Sequence, residues 1–365
     1  MLAIWQKAVE QCDRSRNFAL ATIVSTKGAC PRHVGSRLLI LRDGALVGTI
    51  GGGSFEDQVR DVALRAIDTG QSHRAIFSFC GGGEGELGEM ICGGEADVFV
   101  EYIASGDPIH QKIVRRLLEI TKNKASAYLI SEVPLSIGEW SPHSVNHALI
   151  DSMGSRIGGF PGCIQLIEAL RGRDLLKSAQ LTELGGWEYP VFLEWIKPAG
   201  TAYICGAGHV GLCVARLAAY VDFKVIMLDD RSEFASPQKL PEADKIIVLD
   251  SFKKAFANRS VGEDSYLVIV TRGHVHDGTV LKQALCTSAK YIGMIGSRRK
   301  IAIIFQAMLK EGFTEKDLQR VHAPIGLNIG GETPQEIAVS IIAEMIQVRS
   351  GRYVAQARDL YRIGA

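Results

Sequence analysis

The sequence carries almost no net charge: 41 lysines and arginines stand against 40 aspartates and glutamates in 365 residues, a formal +1. With the basic residues scattered, nucleic acid and anionic membrane surfaces find no electrostatic footprint, and neither is expected as a partner. Long apolar runs are also missing, none approaching the ~20 residues that cross a bilayer. The first residues, Met1 to Lys7, lack the basic start and apolar stretch of a secretory signal. A cytoplasmic location is therefore expected. The eight cysteines, at 12, 30, 80, 92, 163, 205, 213 and 286, form no C-x-x-C pair, which argues against zinc-ribbon or thioredoxin-like chemistry. In a reducing compartment most of them read as small core residues. Small molecules and proteins remain as the partners to look for.

What the sequence has in plenty is glycine, 39 residues gathered in clusters. The length suits two domains. In the C-terminal part, apolar β-branched runs at 201–205, 224–228, 245–249, 266–271 and 290–295 alternate with helix-length segments. That alternation predicts an α/β, Rossmann-like, doubly wound parallel sheet over residues 197–365. It ends in a long helix announced by Thr333-Pro334-Gln335-Glu336, a capping box with proline at the first helical position. Residues 1–196 read instead as an α+β domain, with a hairpin around Arg42-Asp43-Gly44 and a helix from about residue 55 to 69. This part echoes itself: residues 37–68 resemble 147–171, and Ala96 to Ile103 matches Tyr189 to Ile196. Two related half-units, about 18–103 and 127–196, are the expectation.

The clearest constellation is Gly206-Ala207-Gly208-His209-Val210-Gly211, which follows a predicted strand and opens a predicted helix. Its glycines suit a tight turn, backbone approach to a pyrophosphate and close helix packing, with the helix N-terminus favouring phosphate charge. Asp229 and Asp230 end the next strand, where an acid can bond a ribose hydroxyl. A Rossmann scaffold used without nicotinamide fits the same residues. Two further segments fall at strand C-termini. One carries His274 and His276, open to metal, acid-base or plain loop roles. The other is Gly296-Ser297-Arg298, where Arg298 and the first amides of a helix suit a phosphate or carboxylate. The N-terminal domain adds three polar glycine loops. Thr26 to Arg32 places Arg32 and Arg37 near the hairpin. Gly51-Gly52-Gly53-Ser54 opens a helix, with Ser54 expected as its cap and Glu56 in its first turn. Cys92-Gly93-Gly94 sets a thiol beside glycines, reactive if exposed and inert if buried. Three glycines in a row suit either close approach of an anionic or planar ligand or simply a tight corner.

Taken in order, these loops resemble the XdhC/CoxI family, the accessory proteins of xanthine dehydrogenase and related molybdenum hydroxylases. The resemblance rests on Thr26 to Arg32, Gly48 to Gly53, Cys92-Gly93-Gly94, Gly206 to Val210, Asp229-Asp230-Arg231, Tyr291 to Lys300 and Pro324 to Gly330. It implies binding of molybdenum cofactor (molybdopterin) and its protection while a cysteine desulfurase supplies the sulfido ligand. Delivery to a xanthine dehydrogenase-like apo-hydroxylase follows. Ser54 stands where many members have cysteine, so a thiolate contact to molybdenum at that position is excluded. Asn328 likewise replaces a frequent aspartate. A flat pterin with a phosphate and a soft dithiolene-bound metal asks for glycine-lined access, anion-binding helix starts with arginine, and a thiolate.

The leading expectation is thus a non-catalytic cofactor chaperone, with its metal ligands unread. An NAD(P)-dependent oxidoreductase using His274 or His276 for proton transfer is the alternative, and a recruitment scaffold that binds no cofactor is the third reading. A homodimer is the default oligomer.

Overall fold

The computed structural model describes residues 1–79, 93–134, 137–140, 145–151, 154–159, 163–170, 179–182, 189–196 and 199–351. The chain divides into two compact units, Met1–Lys197 and Pro198–Ala365.

In the first unit, α1 (Leu2–Asp13) precedes β1 (Phe18–Lys27), β2 (Arg37–Ile40), β3 (Leu46–Gly48), α2 (Gly53–Thr69), β4 (Ser72–Ser78) and β5 (Glu95–Ile103). Then come α3 (Pro108–Lys122), β6 (Ala127–Glu132), β7 (Gly138–Trp140), β8 (His147–Asp151), β9 (Arg156–Gly158), α4 (Cys163–Leu170), β10 (Gln180–Thr182) and β11 (Val191–Ile196). The helices bury one stripe each: Ile4, Trp5, Ala8, Gln11 and Cys12 in α1, and Phe55, Val59, Val62, Ala63, Ala66 and Ile67 in α2. Gly70, in the left-handed region at φ +72°, ends α2. Asp107 opens α3 by accepting from the amides of Ile109 and His110, with Pro108 at the first helical position.

The strands form two antiparallel sheets. One runs β3-β2-β1-β5-β4-β7 and the other β10-β11-β6-β8-β9. Read from the β3 and β9 edges, both have the same connectivity, a helix followed by three strands, a second helix and two strands. Register agrees as well. Arg37 lies opposite Thr22 as His147 lies opposite Ser131, and Glu101 lies opposite Leu20 as Glu194 lies opposite Leu129. Apolar residues of both sheets meet in shared clusters with α1 and α3, while α2 covers the first sheet and α4 the second.

The matched polar positions are cross-connected. Glu194 of the second set takes two bonds from Arg37 of the first, at 2.9 and 2.5 Å, and Glu101 of the first set meets His147 Nε2 of the second at 2.6 Å. All four side chains are buried.

The second unit comprises β12 (Thr201–Cys205), α5 (His209–Tyr220), β13 (Lys224–Asp229), β14 (Lys245–Val248), β15 (Ser265–Ile269), α6 (His274–Leu285), β16 (Tyr291–Met294), α7 (Arg298–Lys310), α8 (Glu315–Leu318), β17 (Val321–His322) and α9 (Pro334–Arg349). Its sheet is parallel throughout, in the order β14-β13-β12-β15-β16-β17. This is the expected doubly wound arrangement, reversing direction between β12 and β15. Helices α5 and α9 bury Val214, Ala218, Ile341 and Met345 on one face; α6 and α7 bury Val280, Ala284, Ile301 and Met308 on the other. With both faces covered, β15 is buried along its whole length. Thr333 and Glu336 form the expected capping box of α9. That helix carries Glu344 into the interior, where Tyr291 Oη donates at 2.6 Å, the Gly326 amide at 2.9 Å, and His322 Nδ1 lies 3.0 Å away.

Candidate functional site

In the second unit the three glycines after β12 divide the work. Gly206 sits at φ +121°, and a Cβ there would lie 2.3 Å from the Val270 carbonyl oxygen; at Gly211 it would lie 1.8 Å from that of Gly206. Both positions are closed to any side chain. A Cβ on Gly208 would meet nothing within 4 Å. Gly208 is thus the one glycine of the three that faces open space, at the N-cap of α5, with no side chain capping the helix. The first turn of α6, behind Gly273, also lacks a side-chain cap. Two sets of first-turn amides therefore point outward at the C-terminal edge of the sheet, beside exposed His209, Arg272 and His274. At α7 the N-cap is Ser297, whose hydroxyl accepts from the Lys300 amide, and Arg298 follows it, exposed. Gly296 lies against the Lys300 side chain.

The two acids after β13 have distinct places. Asp229, fully buried, accepts from the Ala207 amide at 2.7 Å and from the amide and guanidinium of Arg231 at 2.9–3.0 Å. Burial opposes its ionisation, but Arg231 and the Ala207 amide prevail and hold the carboxyl below the usual range. Its oxygens brace the glycine loop from below. Asp230 receives both terminal nitrogens of Arg272, at 2.5 and 2.8 Å. Since β12 lies between β13 and β15, this ion pair spans the end of β12. Asp277 in α6 is buried, accepts from the amide and hydroxyl of Thr271, and pairs with Lys300, tying two strand-end loops together. His276 tilts over Phe252, ring centroids 5.3 Å apart.

In the first unit the described parts of the three glycine loops converge. Ala29 bridges to Gly93, and a Cβ on Gly94 would lie 2.3 Å from the Ala29 carbonyl oxygen. Pro31 packs on Gly51, where a Cβ would approach it to 2.7 Å. Arg32 is exposed beside them, and Cys30 donates its thiol to the Glu95 carbonyl. Cys92 lies outside the described residues. Ser54, expected as the cap of α2, does not cap it: the helix starts two residues earlier than expected, at Gly53, and its N-cap is Gly52 at φ +80°. Among the described residues no side chain caps the first turn, and Glu56 instead holds the loop that leads into it. Its Oε1 accepts from the Thr49 hydroxyl at 2.6 Å and from the amides of Ile50, Gly51 and Gly52 at 2.9–3.2 Å. Burial opposes ionisation of Glu56, yet these four donors keep its carboxyl below the usual range. The amides of Ile50, Gly51 and Gly52 are thus satisfied by the chain itself, whereas the first turn of α2, from Gly53, has no side-chain cap. Gly52 and Gly53 still leave open space where side chains would stand.

Against known families, residues 12–79 match the model of the XdhC and CoxI family, and residues 202–345 match the XdhC Rossmann domain. The chain belongs to the XdhC/CoxI family. Among curated relatives of this family member, YqeB of Escherichia coli, uncharacterized, is 25% identical over 95% of the chain. The chain spans about half of that protein, 46% of its length. A Bacillus subtilis protein described as a probable subunit of xanthine dehydrogenase is 26% identical, over 90% of this chain and 92% of its own. The molybdenum cofactor insertion chaperone PaoD of Escherichia coli is 19% identical over 94% and 86%. In fold, the chain resembles the crystal structure of a Bacillus halodurans protein described as a xanthine dehydrogenase, with TM-score 0.71 and 22% identity over 97% of this chain and 99% of that one. Among the described residues, no helix is long and apolar enough to cross a membrane.

Proposed function

We propose that this family member binds molybdenum cofactor as cargo, shelters it while a cysteine desulfurase installs the sulfido ligand, and hands it to an apo-hydroxylase of the xanthine dehydrogenase type. Two relatives support the class, one by its description as a cofactor insertion chaperone and one as a probable part of a dehydrogenase. The observation that carries the reading is the sheet edge of the second unit. Gly208 offers open backbone at an uncapped helix start, α6 offers a second such start, and exposed Arg298 supplies positive charge. A phosphate fits that chemistry. Gly52 and Gly53 of the first unit suit a flat ring against bare backbone, while Glu56 already takes the amides of Ile50, Gly51 and Gly52. Neither Ser54 nor hydrogen-bonded Cys30 offers a free thiolate to the metal. The protein's part is binding and release, with no residue assigned to bond making.

A second reading, a nicotinamide dinucleotide on the same edge, is favoured by the strand order and the three glycine roles. The acids that would hold a ribose are engaged, Asp229 by the loop it braces and Asp230 by Arg272. The experiment is to purify the protein from cells that make the cofactor, oxidise the sample and look for pterin fluorescence, with NAD and NADP titrations beside it. Pterin that co-purifies and is lost with Arg298→Ala supports the cargo reading. A folded sample without pterin but with micromolar dinucleotide affinity overturns it.

A further inference from the structure

The acid of the first set, Glu101, has what its counterpart lacks. Glu194 is satisfied by one permanent cation, Arg37, over which Trp5 lies with 5.7 Å between guanidinium carbon and ring centroid. At the place of Arg37 the second set has His147. At the place of Trp5 it has His110, since Ile4 packs on Gly48 as Ile109 packs on the matching Gly158. Both the cation and the aromatic ring have become imidazoles. Their Nε2 atoms converge on one carboxylate oxygen, Glu101 Oε1, at 2.6 Å for His147 and 3.5 Å for His110. An ion pair at this place needs one cation, as Arg37 demonstrates. The second imidazole is surplus to it.

We propose that Glu101, His110 and His147 are the three protein ligands of a divalent transition-metal site of the zinc type, inside the first unit and independent of any cargo. Among the described residues this is the group of three or more His, Cys, Asp and Glu whose ligand atoms all lie within 4.8 Å of one another, and all three residues are buried. The outer atom of one ring is placed as a metal-bound histidine requires: His147 Nδ1 lies 2.8 Å from Ser131 Oγ and can keep its proton, turning the Nε2 lone pair inward. His110 Nδ1 makes no hydrogen bond among the described residues, and the nearest carboxylate, Asp107, is 3.7 Å away. Metal bonds of about 2.0–2.1 Å in a tetrahedral arrangement set ligand atoms roughly 3.3 Å apart. His110 already stands near that distance from Glu101, and His147 must withdraw by less than about 1 Å. A cavity of about 40 Å³ adjoins the three ligands and is lined also by Thr22, Ser131 and Phe99. It has room for a water as fourth ligand. Two imidazoles and one carboxylate favour zinc, cobalt, nickel or iron over magnesium and calcium, which ask for oxygen donors.

The test uses the full chain without an affinity tag, stripped with chelator and titrated with Co²⁺ and then Zn²⁺. One equivalent of Co²⁺ should bind with the visible spectrum of a four-coordinate N/O site, be displaced by Zn²⁺, and raise the melting temperature of the first unit. Proton NMR of the Co²⁺ form should give two shifted imidazole N–H signals. His147→Gln should abolish this binding, and Ser131→Ala should weaken it by about tenfold or more. A folded wild-type chain that takes up no Co²⁺ or Zn²⁺, or binding that survives in folded His147→Gln, overturns the proposal. Should His147→Gln fail to fold, the imidazole signals decide: two support the site, and none or one refutes it.

Discussion

Replacing Arg37 by methionine removes the one cation among the described residues that faces Glu194. The two side chains are 3% and 7% exposed and share two hydrogen bonds of 2.9 and 2.5 Å, so the carboxylate left behind has neither water nor a counter-charge. Breaking a buried pair from one side costs about 3–5 kcal/mol, whereas replacing both members with apolar side chains is often neutral or better. The expectation is therefore a loss of about 4 kcal/mol for Arg37→Met and recovery to within about 1 kcal/mol of wild type for Arg37→Met with Glu194→Leu. With a urea slope of roughly 3 kcal/mol per molar, the single variant moves the midpoint down by about 1.3 M. Tryptophan fluorescence is the assay, because all four tryptophans, at 5, 140, 187 and 195, belong to the first unit. The signal follows that unit alone and avoids the ambiguity of a two-unit transition. A midpoint shift below about 0.3 M, or a double variant whose loss is the sum of the singles, would refute the reasoning.

Four other outcomes follow from the same geometry. Gly208→Val should weaken binding of the pterin cargo while costing the second unit less than about 1 kcal/mol. Gly211→Ala, whose methyl meets the Gly206 carbonyl oxygen at 1.8 Å, should cost about 3 kcal/mol or more, seen by circular dichroism melting. Glu56→Gln should speed hydrogen exchange at the amides of Ile50, Gly51 and Gly52, with global stability little changed; unaltered exchange would show that Glu56 does not hold this loop. Glu344 is held below the ordinary carboxylate range because His322, Tyr291 and the Gly326 amide outweigh the burial that opposes its charge. Its stabilisation is therefore complete above the unfolded value, about 4.3, and is lost as pH falls through the lower folded value. Glu344→Leu should destabilise the second unit by about 3 kcal/mol near neutral pH, with the gap from wild type narrowing in acid.

The second unit was legible because its signals are local. Strand, glycine turn and helix follow one another within a dozen residues around Gly206, and the capping box at Thr333 names its own helix. The two-residue strand β17 and four-residue helix α8 are too short to show a period. In the first unit the loops could be found but not their use. Ser54 has the chemistry of a cap, yet the positive φ of Gly52 lets the chain turn two residues earlier, and Glu56 then reaches four donors at once. The Glu101, His110 and His147 cluster went unread because its members are up to 46 residues apart. Its trace in the sequence was the recurrence of a glutamate at one place in the two matching stretches, 96–103 and 189–196.

The crossed pairing of the two sheets also bears on how such a chain can diverge. Each set holds a buried acid whose polar partner is encoded in the other set, so residue 37 is answerable to residue 194 and residue 101 to residue 147. A gain or loss of charge at either acid is tolerated only with a matching change on the opposite sheet. Among relatives these positions should covary across the pairs, tying together the substitution histories of two stretches otherwise free to drift apart.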